Sequence, residues 1–175
     1  MEKGLIHIYC GDGKGKTTAA MGLAMRSSGR GFKVLIVQFL KSQDTGELHS
    51  LEKLPEIMIL RGNRKHGFTF NMSEEEKELC RVEYDKTLNK GIEICKTESI
   101  DLLVLDEVIG AYNLGFINRD CLLDFLKNKP EKLEVVLTGR NPDESLLGLA
   151  DYVSEIRKVK HPFDRGIKAR NGIER

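Results

Sequence analysis

The run Gly11-Asp12-Gly13-Lys14-Gly15-Lys16-Thr17-Thr18 holds the residue types that grip a polyphosphate. Glycines let a backbone approach an anion closely and take φ > 0 without a Cβ clash. Successive N–H groups that run into a helix N-terminus make an anion cradle. Lys16 adds a point charge for the phosphates, and Thr17 offers a hydroxyl to a divalent cation. One position departs from the usual G-x-x-x-x-G-K-[ST] pattern: Cys10 stands where the first glycine is found, and Gly11 comes one residue late. The segment reads as a nucleoside triphosphate site. The pattern by itself does not say what becomes of the nucleotide.

A second set of groups suits the same ligand. Leu102-Leu103-Val104-Leu105 is an apolar run that ends in Asp106-Glu107. Carboxylates at a strand end suit a hard cation with oxygen ligands, so Thr17, Asp106 and Glu107 are the candidate holders of Mg²⁺, with Mn²⁺ as an alternative. Arg140, in Leu137-Thr138-Gly139-Arg140, stands at a strand end as a bidentate phosphate donor or as a solvated surface arginine. Arg26 is open to the same two readings. Arg61, Arg64 and Lys65 read as loop solubility. The four histidines, His7, His49, His66 and His161, form no Ser-His-Asp set and no H-E-x-x-H motif. The missing base suits chemistry in which the protein positions charge and an activated co-substrate supplies the nucleophile.

These groups need elements to hold them. Leu5-Ile6-His7-Ile8-Tyr9 precedes the glycine-rich turn as a strand. Further strands are expected at 33–39, 57–60, 102–106, 133–138 and 152–159. The continuous apolar runs at 34–37 and 102–105 suit strands buried on both faces of a parallel sheet. Helices are expected at 17–27, closing at Gly29 or Gly31, and from a Ser73 capping box to about 96. That second helix has Leu79, Val82, Leu88, Ile92 and Cys95 on its apolar face. Two more are expected, at 120–127 and from Asn141-Pro142 through 149. Polar loops at 41–50 and 61–72 are candidate lids. The alternation implies an α/β fold: a single P-loop NTPase (RecA-like) domain over 1–175, with a mostly parallel central sheet of about six strands flanked by helices.

Bulk composition narrows the function. Charged residues make up 31% of the 175, and the net charge of +1 gives no electrostatic case for nucleic acid or a membrane surface. No apolar stretch approaches the ~20 residues of a membrane helix. The four cysteines, Cys10, Cys80, Cys95 and Cys121, form no C-x-x-C pair. With no leader-like segment before the first strand, a cytoplasmic setting with free thiols is expected.

The motifs together resemble the corrinoid adenosyltransferases of the CobA/BtuR/CobO type. The resemblance runs in order through the glycine-rich loop, Val37-Gln38-Phe39-Leu40-Lys41, Gly67-Phe68-Thr69-Phe70, Val104-Leu105-Asp106-Glu107 and Leu137-Thr138-Gly139-Arg140. It ends in the tail from Val159-Lys160-His161-Pro162-Phe163-Asp164-Arg165 to Ala169. It implies transfer of the 5′-deoxyadenosyl group of ATP to the cobalt of a reduced corrinoid, with inorganic triphosphate leaving intact. The corrinoid would be cobalamin, cobinamide or a cobyrinic acid derivative. Carried over by position, Gly11 to Thr18 bind ATP, and Thr17 and Glu107 lie near Mg²⁺. Lys16, Arg26, Glu107 and Arg140 serve catalysis. Phe68 and Phe70 pack on the corrin face and help remove the lower axial ligand; read from the residues alone, they fit ordinary loop packing. The second aromatic is often Trp in the family. A homodimer and a reduced flavoprotein electron donor are further implications. The N-terminal extension that helps cover the site in many members has no counterpart before this first strand, so the expectation is either a looser lower lid or cover by a partner subunit. The alternatives are a P-loop kinase that releases ADP and an ATP-driven switch protein.

Overall fold

The computed structural model describes residues 2–41, 44–62 and 72–174. Its centre is a six-stranded sheet: β1 (Ile6–Cys10), β2 (Val34–Gln38), β3 (Ile57–Arg61), β4 (Leu102–Asp106), β5 (Glu134–Thr138) and β6 (Tyr152–Glu155). The order is β3-β2-β4-β5-β1-β6, and every pairing is parallel. The order separates β1, which feeds the glycine-rich loop, from β4, which ends in Asp106. Strand β5 lies between them, so its own C-terminal residue is delivered to the site.

Side chains alternate across the pleat, and the two faces make two cores. Leu35, Val37, Leu103, Leu105, Val135 and Leu137 face one side, with α3 (Glu74–Thr97), α4 (Val108–Asn113) and α5 (Arg119–Lys127). Val34, Ile36, Leu102, Val104 and Val136 face the other, under α1 (Lys16–Ser28) and α2 (Gly46–Leu51). Because both faces are covered, the central strands read as unbroken apolar runs. Ala20 and Ala24, fully buried, let α1 lie close on the sheet.

Several boundaries differ from expectation. The polar stretch 41–50 contains the short helix α2, whose Leu48 and Leu51 are buried. Helix α4 follows β4 directly. The helix α6 (Glu144–Leu147) is capped by Asp143, whose side chain accepts from Ser145 N; Asn141 lies outside it at φ 51. The last strand stops at Glu155, because Ile156 and Arg157 turn to pack on the glycine-rich loop. On α3 the capping box is present, with Ser73 N donating to Glu76 Oε2 at 2.7 Å. The buried stripe there runs through Cys80, Tyr84, Leu88, Ile92 and Cys95, while Leu79 and Val82 are exposed. The spacing 80-84-88 continues the stripe better than 79-82-88 at 3.6 residues per turn.

Candidate active site

The C-terminal ends of the strands open into a cleft of about 530 Å³. Its floor is the loop between β1 and α1. Gly11 (φ 105) and Gly15 (φ 125) carry the loop through conformations that side chains rarely adopt. A Cβ on Gly13 would stand 2.7 Å from Ile156 O, the same carbonyl that accepts from Gly13 N at 2.8 Å. Asp12 accepts from Lys158 N at 2.9 Å, and this bond lowers its pKa. The loop is thus pinned from behind by the chain that leaves β6. Lys14 and Thr18 line the cleft.

Lys16 is buried and folds back over its own loop, donating to Gly11 O at 2.8 Å and Gly13 O at 2.9 Å. Burial depresses its pKa, and the nearby Glu107 carboxylate works against that shift. Asp106 is fully buried, and four donors converge on it. Its Oδ1 accepts from Thr17 Oγ1 at 3.0 Å and Thr138 Oγ1 at 2.8 Å. Its Oδ2 accepts from Gln38 Nε2 at 3.1 Å and Lys41 Nζ at 2.7 Å. Thr138 is the residue that β5 delivers, and its hydroxyl also accepts from Glu107 N at 2.8 Å.

Glu107 sits at φ 59, a left-handed turn that lifts its side chain out of the strand direction and into the cleft. Its carboxylate accepts no hydrogen bond from another described residue. Burial, followed by the neighbouring Asp106, raises its pKa. Two carboxylates and a hydroxyl form an all-oxygen donor set that fits Mg²⁺. No group of three acidic, histidine or cysteine ligands occurs among the described residues. Mg²⁺ is commonly held by one or two carboxylates and keeps sites for water and phosphate.

Arg140 lies exposed on the cleft wall. Asn113 Nδ2 fixes its turn by donating to Arg140 O and Asn141 O. Arg26 is placed differently: it is exposed in the last turn of α1, roughly 15 Å along the axis from Lys16. Phe68 and Phe70 lie outside the described residues. The structure adds groups that the motif reading had not assigned to the site. Lys41 and Thr45 reach the cleft after β2, and Thr45 Oγ1 is buried without a partner among the described residues. His161 also lines it; its Nδ1 accepts from Phe163 N at 3.1 Å, so a neutral ring carries its proton on Nε2. The signal for Lys41 was its place directly after a strand end; Thr45 lies in the 41–50 loop expected as a lid, and His161 in the tail that carries the family resemblance, though neither was singled out as a site residue.

Comparison with known proteins settles the family. The model of the family "ATP:corrinoid adenosyltransferase BtuR/CobO/CobP" matches residues 2–175. The chain belongs to this family. A corrinoid adenosyltransferase of a Sinorhizobium species is 37% identical over 99% of this chain and 81% of its own. That of Escherichia coli K12 is 36% identical over 99% and 86%, and Corrinoid adenosyltransferase CobA of Salmonella typhimurium is 35% identical over 99% and 86%. Among solved structures, EssC (ATPases 2 and 3) from Geobacillus thermodenitrificans aligns with a TM-score of 0.48 and 17% identity, covering 98% of this chain and 36% of that one. In this chain the cleft brings together the glycine-rich loop, Glu107 and Arg140.

Proposed function

We propose that this protein, as one domain over residues 1–175, transfers the 5′-deoxyadenosyl group of ATP to the cobalt of a Co(I) corrinoid. The observation that carries the reading is the meeting of the glycine-rich loop, Glu107 and Arg140 in one cleft, with Asp106 buried behind Thr17, in a chain that matches the family over residues 2–175. The cobalt electron pair forms the bond to C5′ of ATP. The C5′–O5′ bond breaks, and triphosphate leaves with the electron pair of that broken bond. Co(I) is a strong nucleophile, so no protein base is required. The protein's tasks are alignment and charge: the loop N–H groups with Lys16, Arg140 and His161 receive the triphosphate, where preorganised donors favour the developing charge. Mg²⁺ or Mn²⁺ held by Thr17 and Glu107, with Asp106 behind Thr17, would neutralise further charge on the leaving group. Arg26 is assigned no contact there.

The corrinoid is placed above C5′, with Phe68 and Phe70 against its face to exclude water and the axial base. Cobalamin, cobinamide and cobyrinic acid derivatives all remain within this reading. A reduced flavoprotein as electron donor, a homodimer and a cytoplasmic setting complete it. Free thiols at Cys10, Cys80, Cys95 and Cys121 support that setting. No helix among the described residues is long and apolar enough to cross a membrane.

The test is a product assay with purified protein, Mg-ATP and chemically reduced Co(I) corrinoid, under anoxic conditions in dim light. A light-sensitive alkylcorrinoid with stoichiometric triphosphate is expected. ADP with no cobalt alkylation would instead favour the kinase.

A further inference from the structure

Lys41 is held with more care than a surface lysine needs. The residue before it, Leu40, has φ 55, left-handed for a residue with a Cβ. Such strain persists only where the surroundings enforce it, and it gathers at functional sites. Here Leu40 packs against the core beside Gly110, where a Cβ would stand 2.7 Å from Leu40 Cδ1. Phe39 N donates to Asp106 O at 2.9 Å, and Arg61 Nη2 donates to Lys41 O at 3.0 Å. These contacts turn the chain so that the Lys41 ammonium lies 2.8 Å from Thr17 Oγ1 and 2.7 Å from Asp106 Oδ2.

Those two oxygens are among the candidate cation ligands. A Mg²⁺ bound to Thr17 would sit about 2.1 Å from Oγ1, on the oxygen that already receives the ammonium. Like charges that close repel strongly where water is scarce. We propose that Lys41 is a tethered counter-cation that competes with the divalent cation for Thr17 and Asp106, so that the metal enters together with the triphosphate. The proposal rests on the cation reading given above. Once displaced, the ammonium has an anion at hand. Lys41 lines the same cleft as Lys16 and Arg140, and its flexible four-carbon stem lets it turn to the triphosphate. Lys41 is then a positioning residue: it sets when the cation binds.

Mn²⁺ is the probe, with free ion read by electron paramagnetic resonance in the absence of nucleotide. Lys41→Met removes the charge. Lys41→Gln removes the charge and keeps a donor toward Asp106, so the test survives if the Met variant does not fold. Both are expected to bind Mn²⁺ about tenfold or more tightly than the wild type. The gap should shrink with ATP present. A lysine with a merely structural role would give no gain in affinity, and equal nucleotide-free affinities overturn the proposal. Thr17→Val with Mn-ATP tests the underlying cation reading separately. Loss of protein-bound Mn²⁺ there upholds that reading, and then the Lys41 result stands on its own. Unchanged binding in Thr17→Val removes the cation reading and the Lys41 proposal with it.

Discussion

At the scale of the residue, the site is a balance of buried charge. Lys16 closes the loop by bonding Gly11 O and Gly13 O, so its removal costs loop shape and, on the proposed reading, a phosphate contact as well. Lys16→Ala is expected to lower kcat/KM by roughly ten- to 150-fold, from about 1.5–3 kcal/mol for one charge-assisted contact. Lys16→Arg should not restore it, because the guanidinium does not fit a seat made for a compact ammonium. An unchanged kcat/KM in Lys16→Ala would remove its assigned role. Phe68→Ala and Phe70→Ala are expected to slow turnover that starts from Co(II) much more than turnover from pre-reduced Co(I). Equal losses in the two assays would reduce the rings to binding or packing. Both aromatics were singled out from the sequence alone, and their part in the reading rests on the family resemblance.

At the scale of the element, short connections decide where charges point. Helix α4 begins right after Glu107, and its Gly110 leaves the room that Leu40 fills. Gly110→Ala should leave stability nearly unchanged, since a helix gain of about 1 kcal/mol offsets the crowding. It should nevertheless push Leu40 aside and free Lys41, raising nucleotide-free Mn²⁺ affinity in the direction of Lys41→Gln. Wild-type affinity in that variant would show that Leu40 does not aim the lysine. Ser73→Ala breaks a capping box at the start of the 24-residue α3. A loss of about 0.5–2 kcal/mol is expected in chemical denaturation.

At the scale of the whole molecule, the site is held at a cost in stability. Glu107 has a raised pKa, so the folded protein binds that proton more tightly than the unfolded chain does. Its favourable contribution is complete below the ordinary glutamate value of 4.5 and is lost as pH rises through the higher folded value. At neutral pH, with chelator and no nucleotide, Glu107→Gln should therefore melt higher than the wild type while turning over more slowly. The difference between the two stability–pH curves should widen as pH rises through that window. Parallel curves would mean that Glu107 pays no such penalty in the ligand-free protein.

The chain's order of residues determined much of this by itself. Apolar runs buried on two faces named a parallel sheet, and a glycine-rich turn between β1 and α1 pointed to the candidate phosphate site. Both are local patterns, set by pleat and turn chemistry within a few residues. The stripe on α3 was misplaced at Leu79 and Val82, because one helix turn offers two nearly equal apolar faces and only the sheet chooses between them. Tertiary structure alone decided that β5 lies between β1 and β4. That order brings Thr138, 32 residues away in sequence, onto the Asp106 carboxylate. It also decided that Lys41 bonds Thr17 and Asp106, since a strained turn and a glycine on another helix are what direct it there. Contacts of that kind depend on which strands become neighbours, and no local pattern carries that information.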